Sequence, residues 1–308
     1  MSNHALKGKN LLLTGGSGFI GQALCPRLLE LGAELTVLTR KPERTAALLG
    51  PRVQCVAELN QLPAAGFFGV VNLAGAPIMS GRWTASRKAL LHTSRVELTR
   101  HLYEALKQQA AFPEVVVSSS AIGYYGDTGE QEATEASSSG EGFAASLCRD
   151  WEQAAGDFAR QGARLCLLRT GIVLGPDGGA LARMRLPFLL GLGGPMGSGS
   201  QIMSWIHRDD LVEMIIWLLS DQAISGAING TAPNPVTNRV FSQTLGRVLS
   251  RPALLPMPAF MVKLLFGQAG EELLLASNHV VPAKAVENHF AFRHPELHEA
   301  LQASLKNN

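Results

Sequence analysis

The fold of this chain is decided by the segment Asn10–Gly21, NLLLTGGSGFIG. Asn10 to Thr14 reads as a short apolar strand, and after the glycines the apolar residues recur at helical spacing. Gly15, Gly18 and Gly21 give the spacing G-x-x-G-x-x-G between these two elements. Glycine there allows a tight turn, lets backbone N–H groups approach a pyrophosphate and lets the helix pack closely. The segment therefore predicts a dinucleotide-binding turn, and the alternative is a turn that is merely tight.

Apolar strands and helices continue to alternate along the chain. Further strands are expected at 34–40, near Val53, and at 69–75, 114–120 and 164–170. Long helices are expected at 85–109 and 143–160. Strands that are apolar throughout need helices on both faces of their sheet. The pattern predicts an α/β fold with a doubly wound parallel sheet, the Rossmann fold.

The rhythm changes after the sixth strand. The stretch 191–201, GLGGPMGSGSQ, holds five glycines and predicts a long loop of the kind that is often functional. From Pro233 onward the helical segments are punctuated by prolines. We therefore expect a Rossmann domain at 1–174, completed by about 203–232. A smaller, mostly helical C-terminal lobe on the substrate side is expected at 175–202 and 233–308.

The composition limits what the chain can bind. Of 308 residues, 46% are hydrophobic and 17% are charged, and the net charge is +2. This balance predicts neither a nucleic-acid surface nor a polybasic membrane tail, so we expect a small-molecule partner. The four cysteines lack metal-ligand spacing, and the first apolar run, LLL, breaks at glycine. We expect a cytoplasmic protein with reduced cysteines and without a metal, a signal peptide or a membrane span.

The end of the second strand indicates which dinucleotide binds. An NAD site usually has Asp or Glu there to hold the ribose 2′-OH, whereas Arg meets a 2′-phosphate. This chain has Thr39, Arg40 and Lys41, and Arg40 can form a bidentate contact with phosphate. The pattern favours NADP as the cofactor, and the alternative is a solvated basic strand end.

Several motifs together resemble a known family. TGGSGFIG (14–21), NLAG (72–75), SSSAIGYYG (118–126) and WIHRDD (205–210) are similar in order and spacing to the extended short-chain dehydrogenase/reductases. CRDWE (148–152), RTGIVLGPDGGAL (169–181) and the tail at 281–301 narrow the resemblance. They resemble the atypical subgroup of epimerase family proteins of the YfcH type, whose small C-terminal domain is expected at 255–303.

The resemblance implies roles for residues of the cofactor site. It implies that the pyrophosphate is held by Gly15, Gly18, Phe19, Ile20 and Gly21. It places Thr39 and Arg40 at the 2′-phosphate, Leu73, Ala74 and Gly75 along the adenine and ribose, and Ser119, Thr170 and Ile172 toward the nicotinamide. Arg95 stands where many members have Asn, and we expect it to meet a cofactor phosphate or a carboxylate, because an unpaired buried guanidinium is costly. Arg82 and His207 are expected at the substrate pocket, although His207 could equally be a helix cap.

The catalytic pair of such a family is absent. Its dehydrogenases use a Tyr four residues before a Lys, whose ammonium lowers the pKa of the phenol. The resemblance aligns Glu152 with a family Glu, which puts Ala144 and Cys148 at these two positions. Ser120 with Tyr124 or Tyr125 remains as a candidate catalytic set. A thiolate at Cys148 is a further alternative.

Three functions follow as hypotheses. The first is an NADP-binding short-chain dehydrogenase/reductase-like enzyme, an oxidoreductase or epimerase-family protein acting on an unidentified small molecule. The second is a catalytically inactive module that senses NADP(H). The third is a sugar-nucleotide epimerase, which would need pocket contacts for a second nucleotide. The resemblance also suggests a homodimer formed through the helices at 85–109 and 143–160.

Overall fold

The computed structural model describes residues 5–176 and 178–305. Within this part of the chain the strands are β1 (Asn10–Thr14), β2 (Glu34–Leu38), β3 (Val53–Val56), β4 (Gly69–Asn72), β5 (Val115–Ala121), β6 (Arg164–Thr170), β7 (Ile172–Leu174), β8 (Ile202–Met203), β9 (Trp205–His207), β10 (Gly226–Gly230) and β11 (Val236–Thr237). The expected domain ends at 1–4 and 306–308, and Asp177 of the 169–181 motif, lie outside the described residues.

The central sheet is parallel and has the order β3-β2-β1-β4-β5-β6-β10. This is the doubly wound arrangement expected from the sequence, so the predicted fold class is confirmed. β10 was not predicted as a strand, because its sequence GAING has no apolar run. It lies on the edge of the sheet and pairs with β6 alone, where short and weakly apolar strands are tolerated.

Helices cover both faces of the sheet. They are α1 (Gly21–Glu30), α2 (Pro42–Leu49), α3 (Ala85–His92), α4 (Leu98–Lys107), α5 (Gly142–Arg160), α6 (Gly179–Leu189), α7 (Arg208–Ser220), α8 (Asn238–Val248), α9 (Ala259–Phe266), α10 (Gln268–Gly270), α11 (Ala283–Glu287) and α12 (Leu297–Leu305). The helix expected at 85–109 consists of α3, a π-helical turn at Thr93–Glu97 and α4.

Alternate side chains of β1 enter different cores. Leu11 and Leu13 are fully buried in a cluster with α1 and α7. Leu12 is fully buried on the opposite face, in a cluster with α4 and α5. A strand that is covered on both faces needs an unbroken apolar run, and LLL is that run.

The strand order reverses beside β1, since β2 lies on one side of it and β4 on the other. In open α/β sheets, ligands bind in the crevice at the carboxyl ends of strands where the order reverses. The loops after β1 and β4 border that crevice. A third apolar cluster, with Phe241 of α8 and Leu301 of α12, lies in the C-terminal region beyond it.

Candidate functional site

The turn after β1 has the geometry that its glycines imply. Gly15 has φ +72°, and a Cβ there would lie 2.8 Å from the carbonyl carbon of Leu73 in the loop after β4. A Cβ on Gly21 would lie 2.5 Å from the carbonyl oxygen of Gly15. No side chain caps the start of α1. The N–H groups of Gln22 and Ala23 already bond to the carbonyl oxygens of Gly18 and Ile20. Among the described residues, those of Phe19, Ile20 and Gly21 have no such partner and could bind an anion.

The loop after β4 is held against the turn by a buried threonine. Thr14 donates from Oγ1 to Asn72 Oδ1 at 2.6 Å and accepts from the backbone N–H of Ala74 at 3.1 Å. These bonds bring Leu73, Ala74 and Gly75 next to the glycine turn. Gly75 lies so close to Arg95 that a Cβ would sit 2.9 Å from the guanidinium carbon.

Arg95 lies in the π-helical turn beneath this loop. Its guanidinium donates to the carbonyl oxygen of Ala76 at 2.9 Å, and more weakly to Leu91 O and Ser94 Oγ, both at 3.4 Å. Burial lowers the pKa of Arg95, although the nearby Cys148 opposes this shift. All of these acceptors are neutral, and none of the ion pairs found among the described residues includes Arg95. A cation in this position favours an anionic group in the crevice.

A basic cavity of about 570 Å³ lies at the end of β2. Its lining includes Ser17 of the glycine turn, together with Thr39, Arg40, Lys41 and Arg44. Arg44 follows Arg40 by one helical turn and was missed by the sequence analysis, although the spacing R-K-P-E-R is a usable signal. No carboxylate is among the described residues that line this cavity. Its size and charge suit a phosphate group.

A buried polar network lies at the carboxyl ends of β5 and β6. Ser120 donates from Oγ to Glu152 Oε1 at 2.7 Å. Arg169 binds both oxygens of the same carboxylate, each at 2.8 Å. The side chains of Glu152 and Arg169 are only 9% and 6% exposed. Burial alone would lower the pKa of Arg169, but its bonds to Glu152 outweigh burial and raise it.

The two candidate tyrosines differ in how they meet this network. Tyr125 donates its phenol proton to Asn229 Oδ1 at 2.7 Å and accepts from Arg169 Nη1 at 2.9 Å. Burial raises the pKa of Tyr125, and the bond from Arg169 offsets only part of the rise. The ring of Tyr124 lies on the Arg169 guanidinium, with 3.5 Å between the guanidinium carbon and the ring centroid. Within residues 5–176 and 178–305, no group hydrogen-bonds the phenol oxygen of Tyr124, so this phenol is the one free to act on a ligand.

The positions of the missing catalytic pair are filled by packing groups. Ala144 and Cys148 are both buried in α5. The thiol of Cys148 points to the carbonyl oxygen of Ala121, with 3.7 Å between sulfur and oxygen. Burial, reinforced by the charge of Glu152, raises the pKa of Cys148 to about 11. At neutral pH the group is therefore a thiol, which speaks against the thiolate hypothesis.

Arg169 and Asn229 were not predicted as site residues. Arg169 is the last residue but one of β6 and follows the apolar run LCLL. A charge that is buried there needs a partner, which is a signal that the sequence does carry. Asn229 lies in β10, whose existence the sequence did not indicate. Ser119 and Thr170 lie near the carboxyl ends of β5 and β6 in the central sheet. Ile172 begins β7, which pairs with β9 in a separate two-stranded sheet.

His207 is a buried helix cap. It is 2% exposed, its Nδ1 accepts the N–H of Asp209 at the start of α7, and its ring lies 4.2 Å from that of His294. Burial lowers the pKa of His207 to about 4, Asp209 opposes the shift, and His294 and Arg208 add to it. Ligand atoms of His207, Asp209 and His294 lie within 4.8 Å of one another, a spacing that a metal ion could bridge, but Arg208 beside them disfavours a cation.

A second cavity, of about 740 Å³, opens between the crevice and the C-terminal region. Phe19 of the glycine turn and Met79 of the loop after β4 line its inner end. Neither His207 nor Arg82 is among the lining residues that the structure describes. Arg82 is exposed and lies beside Gly267, at the end of α9.

The fold, the glycine turn and the buried network at the carboxyl ends of β5 and β6 define a dinucleotide-binding α/β protein. Residues 11–229 match the profile of the NAD dependent epimerase/dehydratase family, and the chain belongs to this family. Residues 257–304 match a domain of unknown function, DUF1731, which agrees with the C-terminal domain expected from the resemblance.

Similar proteins align with nearly the whole length of this chain. The chain is 40% identical over 302 residues to the epimerase family protein SDR39U1 homolog of Arabidopsis thaliana, which is described as chloroplastic. The alignment covers 96% of this chain and 86% of that protein. It is 37% identical over 298 residues to human SDR39U1, and this alignment covers 95% of this chain and 98% of the human protein. The predicted resemblance is therefore confirmed.

Solved structures agree with the fold. A crystal structure of human SDR39U1 isoform 2 with NADPH has a TM-score of 0.87 at 36% identity and covers 97% of this chain and all of that one. A crystal structure of a nucleoside-diphosphate sugar epimerase from Corynebacterium glutamicum has a TM-score of 0.78 at 31% identity. The match covers 98% of this chain and 59% of that one. Among the described residues, no helix is long and apolar enough to cross a membrane. The cytoplasmic location and the homodimer stay predictions.

Proposed function

We propose that this chain is an NADP(H)-dependent oxidoreductase that reduces a small carbonyl compound or oxidises the corresponding alcohol. The observation that carries the proposal is the contact between the Arg169 guanidinium and the ring of Tyr124, at 3.5 Å. The guanidinium is attracted to the π-electrons of the ring and places a positive charge beside the phenol, which is the task of the Lys in the usual pair. Arg169 is held for this task by its two bonds to Glu152.

The cofactor in this proposal is NADP rather than NAD. Human SDR39U1 is described as crystallised with NADPH. The cavity at the end of β2 carries three basic side chains, Arg40, Lys41 and Arg44, and would take the 2′-phosphate. Gly15, Gly18, Phe19, Ile20 and Gly21 would hold the pyrophosphate. Arg95 would add a positive charge beneath the loop of Leu73, Ala74 and Gly75.

In the reducing direction, the substrate C=O bond gains one hydride at carbon and one proton at oxygen. Bound NADPH supplies the hydride that reaches the carbonyl carbon of the substrate. The π electrons of the C=O bond move to the carbonyl oxygen, and the phenol of Tyr124 gives that oxygen its proton. The resulting phenolate faces Arg169 and regains a proton from water. Ser120 releases Glu152 to donate a hydrogen bond to the same oxygen.

The test is NADPH oxidation by the purified chain with a panel of aldehydes and ketones. Tyr124→Phe removes only a hydroxyl that has no hydrogen-bond partner among the described residues, and Tyr125→Phe is its matched control. We expect Tyr124→Phe to lower kcat while thermal stability stays unchanged. Turnover that is unaffected by both Tyr124→Phe and Ser120→Ala would show that this catalytic set is wrong.

A second candidate, an inactive NADP(H) sensor, is favoured by one observation. Ala144 and Cys148 occupy the two catalytic positions of the family helix, and both are buried. This candidate predicts tight NADPH binding without oxidation of NADPH for any carbonyl compound in the panel.

We also propose that the domain division expected from the sequence holds. The Rossmann domain would comprise 1–174 with 203–232, and the substrate-side lobe 175–202 with 233–308. One apolar cluster is formed mainly by α6, α8 and α12, which supports a separate lobe, although Trp205 and Ala232 from the 203–232 segment join it. Limited proteolysis should cut first between these units.

A further inference from the structure

The cavity of about 740 Å³ has an apolar lining. Its side chains come from the loops after β1 and β4, from α6 and α8, and from the segments around Leu255 and Phe266. Among the lining residues that the structure describes, the only polar side chains are Arg183, Asn238 and Ser242. No carboxylate is present in that set.

These three polar side chains are already engaged by the protein. Arg183 donates to the carbonyl oxygen of Met79 at 2.8 Å, and Ser242 donates to that of Gly194 at 3.3 Å. Asn238 accepts from the backbone N–H of Met196 at 2.7 Å and donates to the sulfur of Met203 at 3.2 Å. A sugar or base that entered the cavity would lose water and find few groups to replace it, at a cost in free energy.

The cavity joins the cofactor crevice to the surface. Phe19 lies at its inner end and packs against Gly178 so closely that a Cβ there would be 2.5 Å from the ring. Leu192 and Leu255 line the cavity and are also 61% and 52% exposed, so the cavity opens to solvent beside them. A molecule could thus extend from the crevice to this opening along a lining whose polar side chains, among the described residues, are Arg183, Asn238 and Ser242 alone.

The lining is also adaptable. Four of its members are methionines: Met79, Met184, Met196 and Met257. Methionine is unbranched and polarisable, and surfaces rich in it accept apolar ligands of varied shape. This composition favours a flexible or variable hydrocarbon over a rigid polar head group.

We infer that the part of the substrate remote from the reacting carbon is an apolar chain or ring system, and not a nucleotide. This inference rests on the proposed function for the statement that the ligand is a substrate. A sugar-nucleotide epimerase would need groups to bind a second nucleotide, whereas the three polar side chains among the described lining residues already bond to the protein.

The test uses calorimetric titration of the NADPH-loaded protein with hexanol, octanol, decanol and UDP-glucose. Each added methylene should tighten binding about threefold to fourfold until the cavity is filled. UDP-glucose should bind far more weakly than decanol. Equal affinity for the three alcohols, or tighter binding of UDP-glucose, would overturn the inference.

A variant pair locates the binding. Leu192→Asp places a charge at the opening on an exposed residue and should weaken decanol binding at least tenfold. Val286→Asp makes the same change at a residue that is 53% exposed and does not line the cavity, and it should leave the affinity unchanged. Equal losses in both variants would place the alcohol elsewhere and overturn the inference.

Binding and turnover measurements on the NADPH-loaded chain distinguish the apolar binding site from the proposed oxidoreductase function. If decanol binds as expected but the NADPH-loaded chain does not reduce decanal, the oxidoreductase function fails and the apolar binding site stands. If short polar carbonyls are reduced with no dependence on chain length, the function stands and the inference about the substrate fails.

Discussion

The guanidinium of Arg169 binds both oxygens of Glu152 and at the same time lies on the ring of Tyr124. Two residues that are 17 positions apart in the chain thus form one buried ion pair at the carboxyl ends of β5 and β6. The pair stands beside the positions where the family helix would hold its Tyr and Lys. A positive charge is therefore present in the site although the usual lysine is not.

Tyr124→Phe should lower kcat by about 100- to 10,000-fold, which is the usual contribution of a positioned acid. Tyr125→Phe should instead lower the thermal midpoint, because Asn229 Oδ1 and Arg169 Nη1 each lose the buried hydrogen bond that they form with the phenol. Steady-state kinetics and thermal unfolding of both variants check this. Equal kinetic effects would contradict the assignment.

The ion pair should matter strongly to stability. Glu152→Gln leaves the buried charge of Arg169 without a partner charge, and the free energy of unfolding should fall by about 3–5 kcal/mol. The double variant Glu152→Gln with Arg169→Met should recover part of this loss, since no unpaired charge remains. Urea denaturation measures both. A double variant that is less stable than the single one would argue against this account.

Arg40→Ala and Arg44→Ala should each weaken NADPH binding at least about tenfold, because each removes a charge-assisted contact to phosphate. NADH binding should not change. Arg52→Ala is the matched control, since Arg52 is exposed and lies outside the basic cavity. Titration with both nucleotides gives the answer, and parallel losses for NADPH and NADH would exclude a specific role at the 2′-phosphate.

Stability should depend on pH through His207. Its pKa is lowered from 6.5 to about 4 by burial, so the unfolded chain takes up a proton at higher pH than the folded one. The stabilisation is present above pH 6.5 and is lost as the pH falls toward 4, by at most about 3 kcal/mol. His207→Asn keeps a helix cap and should remove this dependence.

The control for this pH effect is His101→Gln, a change at an exposed histidine of α4. In His101→Gln, the free energy of unfolding should fall between pH 7 and pH 4 with the same slope as in the unmodified chain. An unchanged slope in His207→Asn would show that other groups cause the acid sensitivity.

Cys148 should behave as an inert thiol. With its pKa raised to about 11, it should resist alkylation at neutral pH, and Cys148→Ala should retain turnover. Mass spectrometry after iodoacetamide treatment and kinetics of the variant test this. Loss of turnover in a variant that remains folded would restore the thiolate hypothesis.

The glycine turn and the sheet could be predicted because their signals are local. An apolar strand, glycines at fixed spacing and a following helix stand next to one another in NLLLTGGSGFIG, and the same alternation repeats through β6. β10 escaped prediction because an edge strand needs few apolar residues. Arg44 escaped because its role depends on the first turn of α2 bringing it back to the end of β2.

The sequence by itself determined the fold class, the family resemblance and the absence of the Tyr-Lys pair, since each depends on residues at short or fixed separations. Only the tertiary structure decided which side chains lie beside the positions of that pair. Ser120, Glu152, Arg169 and Asn229 lie on four separate elements. The fold brings the first three into direct hydrogen-bonding distance and links Asn229 to Arg169 through the Tyr125 hydroxyl. The apolar cavity likewise exists only where the C-terminal region packs on the crevice, because packing between distant segments cannot be read from local spacing.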